Sequence, residues 1–303
     1  MTRNFGAETV RGTVESGYGV SLRSFEALHG HAHSFNFRAE TADGAVFEVK
    51  CFPEAKDRRI ARLLAHTAPS GSGTLAATRL FEGKVLGFDG WKVIALKWIP
   101  GVKRDPDELS DSELHAFLDA HVKFLGGLAD DGEILPVRDA LALRQKIRGR
   151  LSGGNAVEIL RELDGMPDAA LSLAPRYCRI IHGDLHSGNF RFANGRVSGF
   201  FDLEELRYGT PAEDLVRYVV CCEEHRRWYA LRRRRKLLDA FRRILAGTSY
   251  ARDEWLFAIN SCLLRKLARK VKTNRMTAFQ RMNLRMRFGF YRTLRGMVDR
   301  RCK

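Results

Sequence analysis

The stretch "HGDLHSGNF", His182–Phe190, decides how the rest of this 303-residue chain is read. It sets a carboxylate, Asp184, and an amide, Asn189, close together in a polar, glycine-containing segment. A loop of that length can turn both side chains into one cleft. The carboxylate suits orienting and deprotonating a hydroxyl, and the amide oxygen suits a hard cation. Further on, the apolar Phe200-Phe201 ends in Asp202, the form of a buried strand that delivers one carboxylate at its end. Between them "FANGRV" carries Asn194-Gly195, a hairpin signal that folds Asp202 back beside Asn189. Each piece alone is ordinary, since loop aspartates commonly cap or turn a chain. The ordered set is far harder to obtain by accident.

The loop fits H-x-D-L-x-x-x-N, the spacing of a kinase catalytic loop. Phosphoryl transfer needs a carboxylate at the attacking hydroxyl and oxygen ligands for Mg²⁺. Residues 181–216 resemble the aminoglycoside phosphotransferase/choline kinase family, small-molecule kinases of protein-kinase-like fold. The resemblance lies in His182-Gly183-Asp184 with Asn189, in Asp202 with Glu204, and in Gly209-Thr210-Pro211-Ala212-Glu213-Asp214-Leu215. It implies Asp184 as catalytic base, Asn189 and Asp202 as metal ligands, Glu204 as an aid to a second metal, and His182 and Asp214 as scaffold. Upstream, "AVFEVKCF" is similar to the family's strand bearing the phosphate-binding lysine, which makes Lys50 the candidate. "ALKWIPG" resembles the hinge between lobes, where the backbone at Trp98 and Ile99 would meet adenine. ATP and Mg²⁺ are the cofactors the resemblance implies. In order of elements it extends over roughly residues 25–220.

There are departures. The family's lysine normally pairs with a glutamate on the next helix, and here that helix offers only Glu54 and Asp57, both near its start. Asp202-Leu203-Glu204 stands where protein kinases carry D-F-G, which suits small-molecule kinases better. No G-x-x-x-x-G-K-[ST] occurs, so a P-loop kinase is disfavoured.

The expected fold class is α+β: a bilobal protein-kinase-like fold with an antiparallel-sheet N-terminal lobe over 1–98 and a mainly helical lobe over 99–303. "SFNFRAET" alternates, Asp43-Gly44 offers a turn, and "AVFEVKCF" is apolar and β-branched. "EAKDRRIARLLAHTA" has helical spacing, and "ATRLFEGKVLGFDGWKVIALKWI" reads as two strands about Phe88–Gly90. Pro100-Gly101 marks the boundary. Beyond it, Ser110-x-x-Glu113 is a capping-box signature opening a helix.

"LHGHAHSFNF" places His29, His31 and His33 on alternate positions, hence on one face of an extended chain. Three imidazoles could hold zinc or copper, but they do not suit Mg²⁺. The interval from Gly30 to Lys50 leaves room for a strand, a turn and half of another strand. The better reading is a turn over the nucleotide, in which Gly30 lets the backbone approach phosphate and Ser34 offers a hydroxyl or N–H. The rival "SGYGVS", with Gly19 well before Gly30, lies too far upstream of Lys50.

The net charge of +16 is unevenly placed. Residues 221–303 hold 24 Lys/Arg against 6 Asp/Glu, and the rest is slightly acidic. Solvated helix faces would explain this, and so would an anionic partner. A polycationic acceptor would be repelled, so the expected acceptor is an anionic hydroxyl compound: a sugar phosphate, a lipid headgroup or a lipopolysaccharide core. The alternative is a pseudokinase or basic binding module that docks on nucleic acid or an anionic membrane. No nucleic-acid motif is present, so nucleic acid is the less favoured partner. Six cysteines without a C-x-x-C, no apolar leader and no long apolar run point to the cytoplasm, with peripheral contact at the inner membrane surface left open.

Overall fold

Alternation along Ser34–Thr41 gives this segment two unlike faces. Phe37 and Ala39 are buried on one, and Asn36, Arg38 and Glu40 occupy the other. The computed structural model describes residues 6–31, 34–54, 75–76, 78–128, 134–151, 156–225, 231–270 and 278–302. Among these it forms two compact units: Met1–Val102 with Gly126–Glu133 and Phe190–Glu204, and Lys103–Leu125 with Ile134–Asn189 and Glu205–Lys303.

The first unit opens with helix α1 (Ala7–Tyr18), which sequence reading did not foresee. Gly19 caps it with φ 70°, so the glycine of "SGYGVS" ends a helix. Five strands follow: β1 (Leu22–His31), β2 (Ser34–Thr41), β3 (Val46–Pro53), β4 (Arg79–Lys84) and β5 (Trp91–Lys97). They form one antiparallel sheet in the order β1-β2-β3-β5-β4. The Asp43-Gly44 turn joins β2 to β3, with Gly44 at φ 90° and the Ala45 N–H donating to Thr41 Oγ1 at 2.8 Å. Val10 and Val14 of α1 pack on Phe37, Ala39, Phe47, Val49, Cys51, Val93 and Ala95 to form the core of this face. The opposite face carries Lys50, directly across from Asn36 in register. The helix expected over Glu54–Ala68, with Asp57, lies outside the described residues beyond its first one, and so do His33 and the side chains of His29, Gly30, His31 and Ser34.

The hairpin of β7 (Phe190–Ala193) and β8 (Arg196–Phe200), taken in sequence after β6 below, belongs to this first unit. Asn194 at φ 52° and Gly195 at φ 73° make its turn. Val102 bridges to Phe192, and the Phe200 N–H donates to Leu75 O at 2.7 Å.

The second unit is mainly helical: α2 (Asp111–Gly126), α3 (Ala140–Arg150), α4 (Ala156–Asp164), α5 (Pro211–His225), α6 (Leu231–Ala246), α7 (Arg252–Lys270) and α8 (Ala278–Arg301). The expected capping box opens α2: the Ser110 N–H meets Glu113 Oε2 at 3.0 Å and the Glu113 N–H meets Ser110 Oγ at 3.3 Å. Helix α7 packs against α3, α5 and α8. It buries Trp255, Phe257, Ile259, Leu263, Leu264 and Leu267, as a central helix must. Two short strands, β6 (Arg179–Ile181) and β9 (Arg207–Gly209), pair antiparallel, and β6 leads the chain into the loop at 182–189. Among the described residues no helix is long and apolar enough to cross a membrane.

On α6 the buried stripe is Leu237, Phe241, Ile244 and Leu245. Its arginines divide. Arg233 meets Asp105 and Asp107, Arg234 donates to Met286 O, and Arg243 meets Asp111, whereas Arg232, Arg235, Lys236 and Arg242 lie on the outer side.

The core of the first unit depends on large side chains on β3. Phe47 is 1% exposed and packs edge-on to Tyr18 of α1. Phe47→Ala is expected to cost about 3–5 kcal/mol, read as a lowered midpoint in denaturant unfolding with the slope unchanged.

Candidate active site

In the first unit the site begins with Lys50. Its backbone is fixed by β2 on one side and β5 on the other, and its side chain is 6% exposed. The ammonium donates to Asp202 Oδ1 at 3.0 Å and lies 3.9 Å from Glu204 Oε1. Burial alone would lower the lysine's pKa, but the charges of Asp202, Glu48 and Glu204 overcome it and raise the value. Lys50 is therefore a firmly charged cation. Glu48, two positions before it, is pushed up by burial against the opposing effect of Lys50.

Asp202 follows β8 and has φ 64°, a left-handed conformation rare for a residue with a side chain. Local strain of roughly 1–3 kcal/mol is typical of residues held at functional positions. Glu204 sits just beyond, in the short helix Leu203–Glu205. Glu54, one of the two acids expected near Lys50, lies instead 4.0 Å from Lys84. The two carboxylates in contact with Lys50, Asp202 and Glu204, thus come from far downstream, on the other side of the helical segments that separate β5 from β7. Across the sheet, Asn36 Oδ1 is buried and makes no hydrogen bond among the described residues. Sequence reading missed this residue.

Trp98 uses its N–H on Val46 O at 3.3 Å, and Arg38 stacks over its ring at 5.8 Å. Ile99 packs against Gly199, where a Cβ would come within 2.9 Å of its Cδ1. Gly30 lies at the end of β1 and Ser34 opens β2, with His31 paired to Ser34. Gly30 thus lies near the end of the first strand and Ser34 at the start of the second, and Lys50 lies on the third.

In the second unit the loop at 182–189 hangs from one buried carboxylate. Asp214, in the first turn of α5, accepts the N–H groups of His182 and Gly183, both at 2.9 Å, and faces His121 Nε2 at 3.2 Å. Burial would raise its pKa, but His121, His182 and Arg207 lower it. Gly183 has φ 76°, and a Cβ there would lie 2.0 Å from Glu205 O, so only glycine fits. Behind it, Arg207 and Glu213 form a buried two-pronged pair at 3.2 and 2.8 Å.

Asp184 is ion-paired with Arg217 of α5 and with Arg265 of α7, whose Nη2 lies 3.1 Å away. Arg265 also donates Nη1 to Gly183 O at 3.1 Å. Burial raises the Asp184 pKa, yet the two arginines and two histidines bring it below the ordinary value. Asn189 donates Nδ2 to Asp184 O at 3.0 Å. Its amide oxygen is left as the ligand end, which fits a hard cation. Among the described residues no cluster of three or more His, Cys, Asp or Glu could hold a metal. A cavity of about 320 Å³ beside the loop is lined by Asp105, Glu108, His186 and Ser187 among others.

Arg217 and Arg265 are the other residues sequence reading missed. Their signal was available: each is an arginine inside an apolar helical run, "DLVRYVV" and "SCLLRKL".

The model of the phosphotransferase enzyme family, APH, matches residues 24–255. The chain belongs to this family. Viomycin phosphotransferase of Streptomyces vinaceus is 32% identical over 156 residues, 45% of this chain and 53% of that protein. The chain thus spans about half the length of this curated relative. Among solved structures, amicoumacin kinase hAmiN with AMP-PNP and Ca²⁺ matches with TM-score 0.64 at 11% identity, over 98% of this chain and 94% of that one. The aminoglycoside phosphotransferase APH(3'')-Id of Streptomyces rimosus matches with TM-score 0.58 at 18% identity, over 87% and 99%. At such identities the likeness is one of fold, and the fold is the α+β, kinase-like one that the sequence predicts.

The lowered pKa of Asp214 means that the folded protein holds its ionised form more tightly than the unfolded chain does. Its contribution is complete above the unfolded aspartate range, near pH 4, and is lost as the pH falls below it. Asp214→Ala is expected to cost roughly 3–5 kcal/mol at neutral pH. In denaturant titrations from pH 7 to pH 3 the gap to wild type should narrow.

Proposed function

We propose that the protein is an ATP- and Mg²⁺-dependent phosphotransferase that moves the γ-phosphoryl group to a hydroxyl of an anionic small molecule or glycan. What carries the reading is the ion pair between the buried Lys50 and Asp202, whose side chain is 37% exposed. It unites a cation suited to nucleotide phosphates and a carboxylate suited to their metal, at the two positions where the family carries them.

Each residue has a task. Lys50 offsets the negative charge of the phosphates. Asn189 and Asp202 supply oxygen ligands for the metal, and Glu204 assists. Mg²⁺-bound ATP supplies the phosphoryl group and the charge neutralisation that a loose transition state requires. Asp184 holds the acceptor hydroxyl in line. The new bond joins the acceptor oxygen to the γ-phosphorus, the bond from that phosphorus to the β–γ bridging oxygen breaks, and the hydroxyl proton passes to Asp184. Because its pKa is lowered, Asp184 is a weak base that stays ionised at neutral pH. It therefore acts first by orientation and takes the proton late. Gly30 and Ser34 would cover the phosphates, and the backbone at Trp98 and Ile99 would meet the adenine.

The anionic acceptor is supported by charge. Asp184 stands between two arginines, a setting that repels a polycation. The antibiotics in the names of the relatives form the competing class. ADP release measured against neutral, cationic and anionic hydroxyl compounds is expected to saturate with an anionic sugar or lipid. Asp184→Asn and Asp202→Ala are each expected to lower kcat at least about 100-fold. Turnover comparable to wild type in either variant would overturn the assignment, and saturation by a cationic antibiotic would overturn the anionic acceptor.

A further inference from the structure

Asp184 is one carboxylate facing two guanidiniums. Arg217 reaches it from α5 and Arg265 from α7, and all three side chains keep some exposure, 15, 14 and 21% respectively for Arg217, Arg265 and Asp184. Arg265 has a structural task as well, through Gly183 O. One arginine would suffice to brace and neutralise the aspartate. Among the described residues the second guanidinium shares that one carboxylate. The mutual repulsion of neighbouring arginines shows nearby. Burial, then the charges of Arg217 and Arg269, lower the Arg265 pKa even with Asp184 beside it. Burial and the charges of Arg207 and Arg265 bring Arg138 down to about 9, although Glu205 lies 3.6 Å from it. Like charges kept close in a partly buried place are stabilised when an anion joins them.

We propose that Arg217 and Arg265 form the subsite for an anionic group of the acceptor, a phosphate or a carboxylate, and that Asp184 occupies this subsite until the acceptor arrives. The inference rests on the reading of Asp184 as the residue that orients the acceptor hydroxyl. Two guanidiniums present paired N–H groups that match the oxygens of such an anion. An arriving anion draws the arginines off Asp184, which frees its oxygens for the hydroxyl. Specificity and activation then come from one exchange of partners. An acceptor without the anion leaves Asp184 engaged.

Masking makes a prediction that bracing does not. Inorganic phosphate is the probe, titrated calorimetrically at constant ionic strength against chloride. Asp184→Asn removes the internal competitor, so it is expected to bind phosphate roughly tenfold more tightly than wild type. Adding Arg217→Gln to that variant is expected to abolish the gain. Thermal unfolding checks that each variant folds, and Arg265→Gln in the Asp184→Asn background gives the same reading should Arg217→Gln not fold. Unchanged phosphate affinity in Asp184→Asn would overturn the masking. A gain that survives loss of either arginine would overturn the subsite. Neither outcome touches the phosphotransferase assignment, which falls instead if Asp184→Asn keeps full ADP release.

Discussion

The carboxylate of Asp214 is the constraint on which the loop at 182–189 depends. Two successive N–H groups, from His182 and Gly183, must converge on it within the protein interior. Only a left-handed turn at residue 183 directs both inward, and the nearby Glu205 carbonyl then leaves no room for a side chain. Asp184 is the first residue free to point elsewhere. Asp214 itself is well placed: it lies in the first turn of α5, where unpaired N–H groups and the helix dipole favour negative charge. Helix α5 rests on α7, and α7 carries Arg265 back to Gly183 and Asp184. The loop is therefore gripped from both sides by neighbouring helices, with its backbone satisfied and its acidic side chain presented.

The same economy accounts for much of the basic C-terminal region. Many of its arginines face the acidic residues of earlier segments. Arg292 and Arg295 converge on the buried Glu162 of α4, and Arg285 meets Glu158. Arg233 reaches Asp105, and Arg243 reaches Asp111. A buried Glu162 without its arginines would be an uncompensated charge, costly enough to unfold the segment. The imbalance between the slightly acidic stretch up to Val220 and the basic remainder is thus partly a record of how the helices of the second unit bind one another. On α6, Arg232, Arg235 and Lys236 remain on the outer side.

Local chemistry made much of this fold legible. Asp43-Gly44, Asn194-Gly195 and Ser110-x-x-Glu113 are each complete within a single turn of chain, and each forms the turn or cap it signals. Helix α1 was missed because its apolar positions, Val10 and Val14, are few and its last turn runs into glycines. Asp184, Asn189 and Asp202 could be singled out as candidates because short connections set their spacing, and Lys50 because its strand resembles the family's. The contact of Lys50 with Asp202 and Glu204 was not foreseen, since those carboxylates follow β8, far along the chain. Asn36 was hidden for a similar reason, because its position across from Lys50 follows from the register of two strands.

Charges set within apolar helical runs are the trace that non-local sites leave in a sequence. Arg217 sits among Leu215, Val216, Val219 and Val220, and Arg265 among Leu263, Leu264 and Leu267, all buried. A guanidinium there must meet an anion, because neither leaving it unpaired nor deprotonating it is cheap. The sequence says that an anion is required and not where it comes from. Among the described residues that anion is Asp184, and it meets both arginines at once. Two guanidiniums turned onto one carboxylate are an arrangement that a second anion, carried in by a ligand, can enter by exchange of partners.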